Sequence, residues 1–129
     1  MIGYVTLGSN DLPRARAFYD ALLTEIGAAK LMELETGFTL YGKGPGKPGI
    51  ALVEPFDGQE AQPGNGPMIA IPVRERAQVD AVHARALELG AKDEGQPGLR
   101  VPEGPDAFYG AYFRDLDGNK LCVFRMGPV

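Results

Sequence analysis

His83 and Cys122 are the only imidazole and the only thiol in this chain of 129 residues. A Ser-His-Asp or Cys-His relay needs its base beside a nucleophile. A zinc or iron centre needs several imidazole, thiolate or carboxylate donors converging on one point. His83 stands among Val79, Val82 and Ala86 at the border of a helical stripe, which makes it a surface or boundary residue rather than a ligand. Cys122 is in an apolar run, with Lys120 two positions away on the same side of a strand. Packing outweighs reactivity for such a thiol. Tyr4 is suited to walling a pocket, or to donating a hydrogen bond or proton inside one. Asp115, Asp117 and Asn119 copy the opening of a calcium loop, but Lys120 occupies the required glycine position and Met126 the closing glutamate. A hairpin turn is therefore expected. Residues 42–47 are rich in glycine and lysine but lack the phosphate-loop spacing and precede a strand. They read as a turn whose Lys43 and Lys47 can attract an anion.

Composition narrows the classes of function. The length suits one domain, and a chain of this size buries enough surface to fold without staples. One cysteine excludes an internal disulfide and suits a reducing compartment, so a cytoplasmic location is expected. Thirteen basic against seventeen acidic residues give a charge of −4, a poor match for a nucleic-acid backbone. No apolar run approaches the ~20 residues of a membrane helix, and residues 1–4 do not read as a signal peptide. Eighteen glycines and eleven prolines predict many turns without reaching the disordered regime of roughly 25–30%.

The elements that must position these residues recur in two halves. Val5 and Leu7 alternate with Tyr4 and Thr6 in a first strand, residues 1–8. Asn10 or Asp11 caps a helix with Pro13 in its first turn. Leu12, Ala15, Tyr19, Leu22, Leu23 and Ile26 form its stripe, and Gly27 stops it. Strands are expected at 30–35, 38–42 and 49–54. After a polar connector, 55–66, the order repeats: a strand at 68–73, a helix at 75–89 ended by Gly90, and strands at 108–115 and 120–125 around the turn at Gly118. A weak strand at 99–101 is expected inside the Gly/Pro-rich stretch 95–105. That stretch, with Arg100, reads equally as a lid and as a surface loop. Glu25-Ile26-Gly27-Ala28 is echoed by Glu88-Leu89-Gly90-Ala91. The chain is thus read as α+β, with a βαβββ module over 1–54, the connector 55–66, and a second module over 67–129. One helix covers one face of each sheet, so the other face must meet a partner or enclose a cavity. Val5, Leu7, Ile69, Ile71, Val73, Leu121 and Val123 suit the helix side. Tyr4, Thr6, Met68, Ala70, Lys120, Cys122 and Phe124 suit the other.

The two βαβββ halves, the run from Tyr4 through Ser9-Asn10-Asp11-Leu12 with Phe18-Tyr19, and the run from Tyr109 to Lys120 with Asp115-Leu116-Asp117-Gly118-Asn119 resemble the vicinal oxygen chelate superfamily. It comprises glyoxalase I, extradiol dioxygenases, fosfomycin-resistance enzymes and bleomycin-resistance binding proteins. The resemblance covers nearly the whole chain. It implies a cupped, mostly antiparallel eight-stranded sheet with helices on the outer face, often completed by a homodimer. In the enzymes of the superfamily a divalent metal in the cup, held by His and Glu, acts as a Lewis acid on two adjacent substrate oxygens.

Carried over position by position, the ligand set of the resemblance falls on Tyr4, Met68 and Cys122, and in the first half on Ala51. Glu54 is near Ala51 in sequence but on the opposite face by parity. Phenol, thioether, thiol and methyl do not make a site for a hard divalent ion. The expectation is therefore a protein that binds a small molecule in a metal-free cup, with no cofactor, no nucleic-acid or membrane partner, and a second copy of itself as partner. The pocket is expected to be lined by Tyr4, Thr6, Ala51, Met68, Ala70, Tyr112, Lys120, Cys122 and Phe124. No catalytic residue is assigned. The alternative is a lyase or dioxygenase of this superfamily with a non-standard metal site, or acid–base chemistry at Tyr4, Lys120 or Tyr112. An interaction module pairing through its open sheet face is a third reading.

Overall fold

The computed structural model describes residues 1–129. Its first half runs β1 (Tyr4–Gly8), α1 (Leu12–Leu22), a 3₁₀ turn (Leu23–Ile26), β2 (Ala29–Glu33), β3 (Thr39–Gly42) and β4 (Gly49–Val53). The second runs β5 (Ile69–Pro72), α2 (Arg76–Glu88), β6 (Lys92–Leu99), β7 (Phe108–Arg114) and β8 (Lys120–Met126). Asp11 starts α1 by accepting the Arg14 amide at 3.1 Å, and Pro13 occupies the first turn. At the far end Gly27 takes the left-handed conformation, φ 76°, that a side chain would oppose. In α2 the Gln78 side chain accepts the amides of Arg74 and Glu75, both at 3.0 Å, satisfying donors that precede the first turn.

Each half forms its own four-stranded sheet, in the orders β1-β4-β3-β2 and β5-β8-β7-β6. The first and last strands of each module pair in parallel and the other neighbours antiparallel. The α+β fold of two βαβββ modules is as expected, with the eight strands divided between two separate four-stranded sheets. β1 and β5 are both edge strands. Pro72, without an N–H, suits β5 to an edge.

Residues of alternating parity divide as their hydrophobicity requires. Leu7, Leu52, Ile71, Leu121 and Val123 join the α1 residues Leu12, Ala15, Phe18, Tyr19 and Leu22 and the α2 residues Val79, Val82 and Ala86 in one buried cluster that runs through both halves. Asn10 ties the connector to the first half, its side chain accepting the Ala61 amide at 2.7 Å and donating to the Ala61 carbonyl at 3.0 Å. Asn119 ties the second half to the first, donating from Nδ2 to the Gly8 carbonyl at 3.0 Å.

Two sequence expectations need revision. The strand placed at 99–101 lies instead at Lys92–Leu99, so half of the supposed lid is sheet. Gly95, Pro97 and Gly98 read as loop, but β6 is an edge strand with register shifts on both sides of Gly95, where proline and glycine are tolerated. His83 is not a surface residue. It is buried in α2 against Phe113, with ring centroids 6.5 Å apart, and its Nε2 is 3.0 Å from Asp93 Oδ1 on β6.

Candidate functional site

The faces turned away from the helices carry the residues expected to line a pocket. Register places Thr6 beside Ala51 and Ala51 beside Leu40 in the first sheet. In the second sheet Ala70 is beside Cys122 and Cys122 beside Tyr112. Tyr4 is 54% exposed and Met68 43%, whereas Ala51 and Cys122 are fully buried. Tyr4 meets Phe38 edge-on at 5.6 Å, and Phe124 stacks on Phe108 at 5.0 Å.

Tyr112 organises the second sheet's open face. Arg100 Cζ lies 5.2 Å and Lys120 Nζ 5.5 Å from its ring centroid, both within range of a cation–π attraction. Neither cation forms an ion pair, while the neighbouring Glu94 is held by Arg114 at 2.7 Å. That hydrogen bond and charge keep the Glu94 carboxyl below its ordinary range. The Cys122 thiol beneath is pushed up by burial, an effect opposed by the neighbouring Tyr112 and by the charges of Arg100 and Lys120. It is a protonated packing group at neutral pH, not an activated nucleophile.

No three His, Cys, Asp or Glu side chains converge anywhere in the molecule. Tyr4, Ala51, Met68 and Cys122 offer no imidazole and no carboxylate, and Glu54 is exposed. His83 is partnered with Asp93 and Phe113, on the helix side. These residues do not fit a hard divalent cation, and no step through a metal is derived for them.

Two cavities border the edge strands β1 and β5. The smaller, about 260 Å³, is lined by Val5, Thr6 and Leu7 of β1, by Met68 and Ile69, by Pro63 and Pro67, and by Asn119 and Lys120. The larger, about 570 Å³, takes in Met68 and Ala70, the turn lysines Lys43 and Lys47, and residues that the sequence did not single out for a site, among them Tyr41, Ile50 and the 3₁₀-turn residues Leu23 and Ile26. Of the nine expected lining residues, Tyr4, Ala51, Tyr112, Cys122 and Phe124 border neither cavity. Alternation assigned Val5, Ile69 and Ile71 to the helix side, but nothing local signals that the helices leave part of that side open.

The architecture has close parallels among solved structures. A glyoxalase/bleomycin resistance protein from Albidiferax ferrireducens T118 matches with a TM-score of 0.85 and 33% identity, over 97% of this chain and 98% of that one. The chain belongs to the glyoxalase/bleomycin resistance protein family. Within this family, part of the vicinal oxygen chelate superfamily, the fold persists at lower identity. A glyoxalase-related enzyme from Fulvimarina pelagi matches with a TM-score of 0.72 at 20% identity, over 97% of this chain and 87% of that one. A lactoylglutathione lyase from Agrobacterium tumefaciens matches with a TM-score of 0.66 at 21% identity, over 97% and 92%. These last two share the fold alone. No family model and no curated protein matches the sequence. No helix is long and apolar enough to cross a membrane.

Proposed function

We propose that this glyoxalase/bleomycin resistance family member binds a small organic molecule on the open faces of its two sheets, without a metal. The observation that carries the reading is the replacement of donors by packing at the floor. Ala51 and Cys122 are fully buried where the resemblance calls for carboxylates, and the exposed Tyr4 and Met68 stand two positions before their register partners Thr6 and Ala70. Around that floor, Tyr4, Met68, Ala70, Tyr112 and Phe124 supply apolar and aromatic wall. Thr6, Lys120 and the Tyr112 hydroxyl supply the few polar handles from which small-ligand sites are built. The protein acts by sequestering its ligand, in the cytoplasm, where the Cys122 thiol stays reduced.

The same reading includes a homodimer. Every residue of edge strand β2 is exposed, with Leu31 45% and Met32 46% accessible and Leu34 48% just beyond its end. An apolar edge of this kind is costly in a monomer, and a second copy would cover it. Light scattering on the purified protein gives twice the chain mass under this reading; a monomer at micromolar concentration overturns it.

Elemental analysis of protein purified without chelator tests the central claim. Substoichiometric zinc, nickel, iron and manganese are expected, together with thermal-shift hits from a ligand library that EDTA leaves unchanged. Tyr4→Ala and Met68→Ala should each weaken those hits. One equivalent of a divalent metal per chain, with stabilisation abolished by EDTA, would instead support a metal-dependent enzyme.

A further inference from the structure

The 570 Å³ cavity borders the edge strands β1 and β5 and meets the proposed ligand face only at Met68 and Ala70. Val5, Tyr41, Ile50, Ile69 and Ile71 line it, and their parity is that of the buried Leu7 and Leu52 beneath the helices. Three features keep this region open. α1 gives way at Leu23 to a 3₁₀ turn, and Gly27 then reverses the chain, so no long helix lies over the β1–β5 gap. α2 packs chiefly on β6, β7 and β8. Ala28, just after the 3₁₀ turn, presents too little side chain to fill the space.

The chemistry of the wall is one-sided. Its only charged members are Lys43 and Lys47, both exposed on the turn between β3 and β4, and neither forms an ion pair or side-chain hydrogen bond. No carboxylate lines the cavity. The one hydroxyl, of Tyr41, is already committed to Asp20 at 2.8 Å and the Arg16 carbonyl at 3.3 Å. A ligand there meets an apolar chamber with two free ammonium groups at its rim.

The geometry points to a second binding site in this cavity for a soluble amphipathic carboxylate, its apolar body between β1, β5 and the 3₁₀ turn and its head at Lys43 and Lys47. The volume falls within the ~300–1,000 Å³ typical of small-molecule sites. Charge complementarity selects the anion: an alkyl cation would face the lysines without a counter-charge, and a neutral alcohol would leave them unused. The site shares Met68 and Ala70 with the proposed ligand face, but Lys43, Lys47 and Ile50 lie outside that face, so substitutions there test it separately.

Calorimetric titration of the full chain with hexanoate, octanoate and decanoate, each below its micellar concentration, tests the assignment. Affinity should rise roughly threefold to fourfold per added methylene, the increment for moving a CH₂ out of water. Decanoate should bind about fivefold more tightly than decanol, and that margin should shrink as salt screens the lysines. Lys43→Ala with Lys47→Ala should erase the margin while leaving decanol binding intact. Ile50→Trp, which fills the chamber, should abolish both; should it prove unfolded, the lysine pair alone still decides. Equal affinity for decanoate and decanol in the wild type overturns the assignment, as does decanoate binding indifferent to the lysine pair. Capture on phosphatidylglycerol vesicles without any response to monomeric decanoate would also overturn it, in favour of a membrane contact.

Discussion

The Tyr19 hydroxyl donates a 2.6 Å hydrogen bond to Asp115 Oδ2, joining the helix of the first module to the β7–β8 turn of the second. Both residues are buried, at 1% and 6% exposure. Asp115 also accepts the amides of Asp117 and Asn119, each at 2.9 Å on Oδ1, and the Asn119 side chain at 3.0 Å on Oδ2. A buried carboxylate is tolerable only when its lone pairs are occupied this fully. The motifs that carry the family resemblance, around Asn10 and around Asp115–Asn119, therefore hold the two modules together. Docking the modules is a task of the fold separate from any chemistry in the site.

Tyr19→Phe removes one donor from that carboxylate and is expected to cost about 2 kcal/mol, the range for a buried hydrogen bond to a charged group. Asp115→Ala should cost more, on the order of 3 kcal/mol, because it strands the Tyr19 hydroxyl and both turn amides. Urea unfolding of the two variants beside the wild type checks the order. A loss below about 0.5 kcal/mol for Tyr19→Phe would show that the bond is energetically idle.

Alkaline pH should destabilise the fold through the same residue. Burial first, and then the Asp115 charge and hydrogen bond, push the Tyr19 phenol well above its ordinary value. Tyr41 is also raised, by burial and its hydrogen bond to Asp20, and Tyr109 by its hydrogen bond to Asp80. In the unfolded chain each phenol ionises near pH 10. The stability that depends on their protonated forms is thus complete below that pH and is lost as pH rises above it. Absorbance at 295 nm should show fewer of the five tyrosines ionised near pH 10.5 in the native protein than in urea. Superimposable native and denatured titrations would contradict this.

Cys122 should behave as a covered thiol. Its burial, and the upward push that burial gives its pKa, predict negligible reaction with Ellman's reagent in the native state at pH 7.5 and full reaction in denaturant. Tyr112→Ala uncovers the thiol and should accelerate native labelling by about tenfold or more, since exposure and thiolate fraction together control the rate. Rapid labelling of the wild type would mean that the ring does not shield the sulfur.

What the sequence disclosed and what it withheld follow from the range of each interaction. Pro13, Asp11 and Gly27 mark the ends of the first helical segment through contacts a few residues long, and Val5–Leu7 and Leu121–Val123 announce their faces by alternation. β6 escaped because Gly95, Pro97 and Gly98 are poor strand formers, and only pairing with β7 along one edge makes them a strand. The burial of His83 escaped with it, since the Asp93 carboxylate that satisfies the imidazole belongs to that strand. The larger cavity was equally hidden. Leu23, Ile50 and Ile69 each look like core, and only the way the two modules meet leaves them lining a space.

Gly95 links the revised strand to the proposed ligand face and offers the sharpest local test of that face. A Cβ added there would lie 2.9 Å from Tyr112 Cδ2 and 3.2 Å from the Arg100 guanidinium, so Gly95→Ala must displace the ring, the cation or both. Side-chain displacement of this kind costs about 1–2 kcal/mol, small enough for the fold to survive. The displaced ring should weaken every ligand found for the open face and speed the labelling of Cys122 in the same variant. Binding in the larger cavity should remain, because neither Gly95 nor Tyr112 lines it. A Gly95→Ala protein with unchanged open-face affinity and unchanged thiol reactivity would remove Tyr112 from the proposed site.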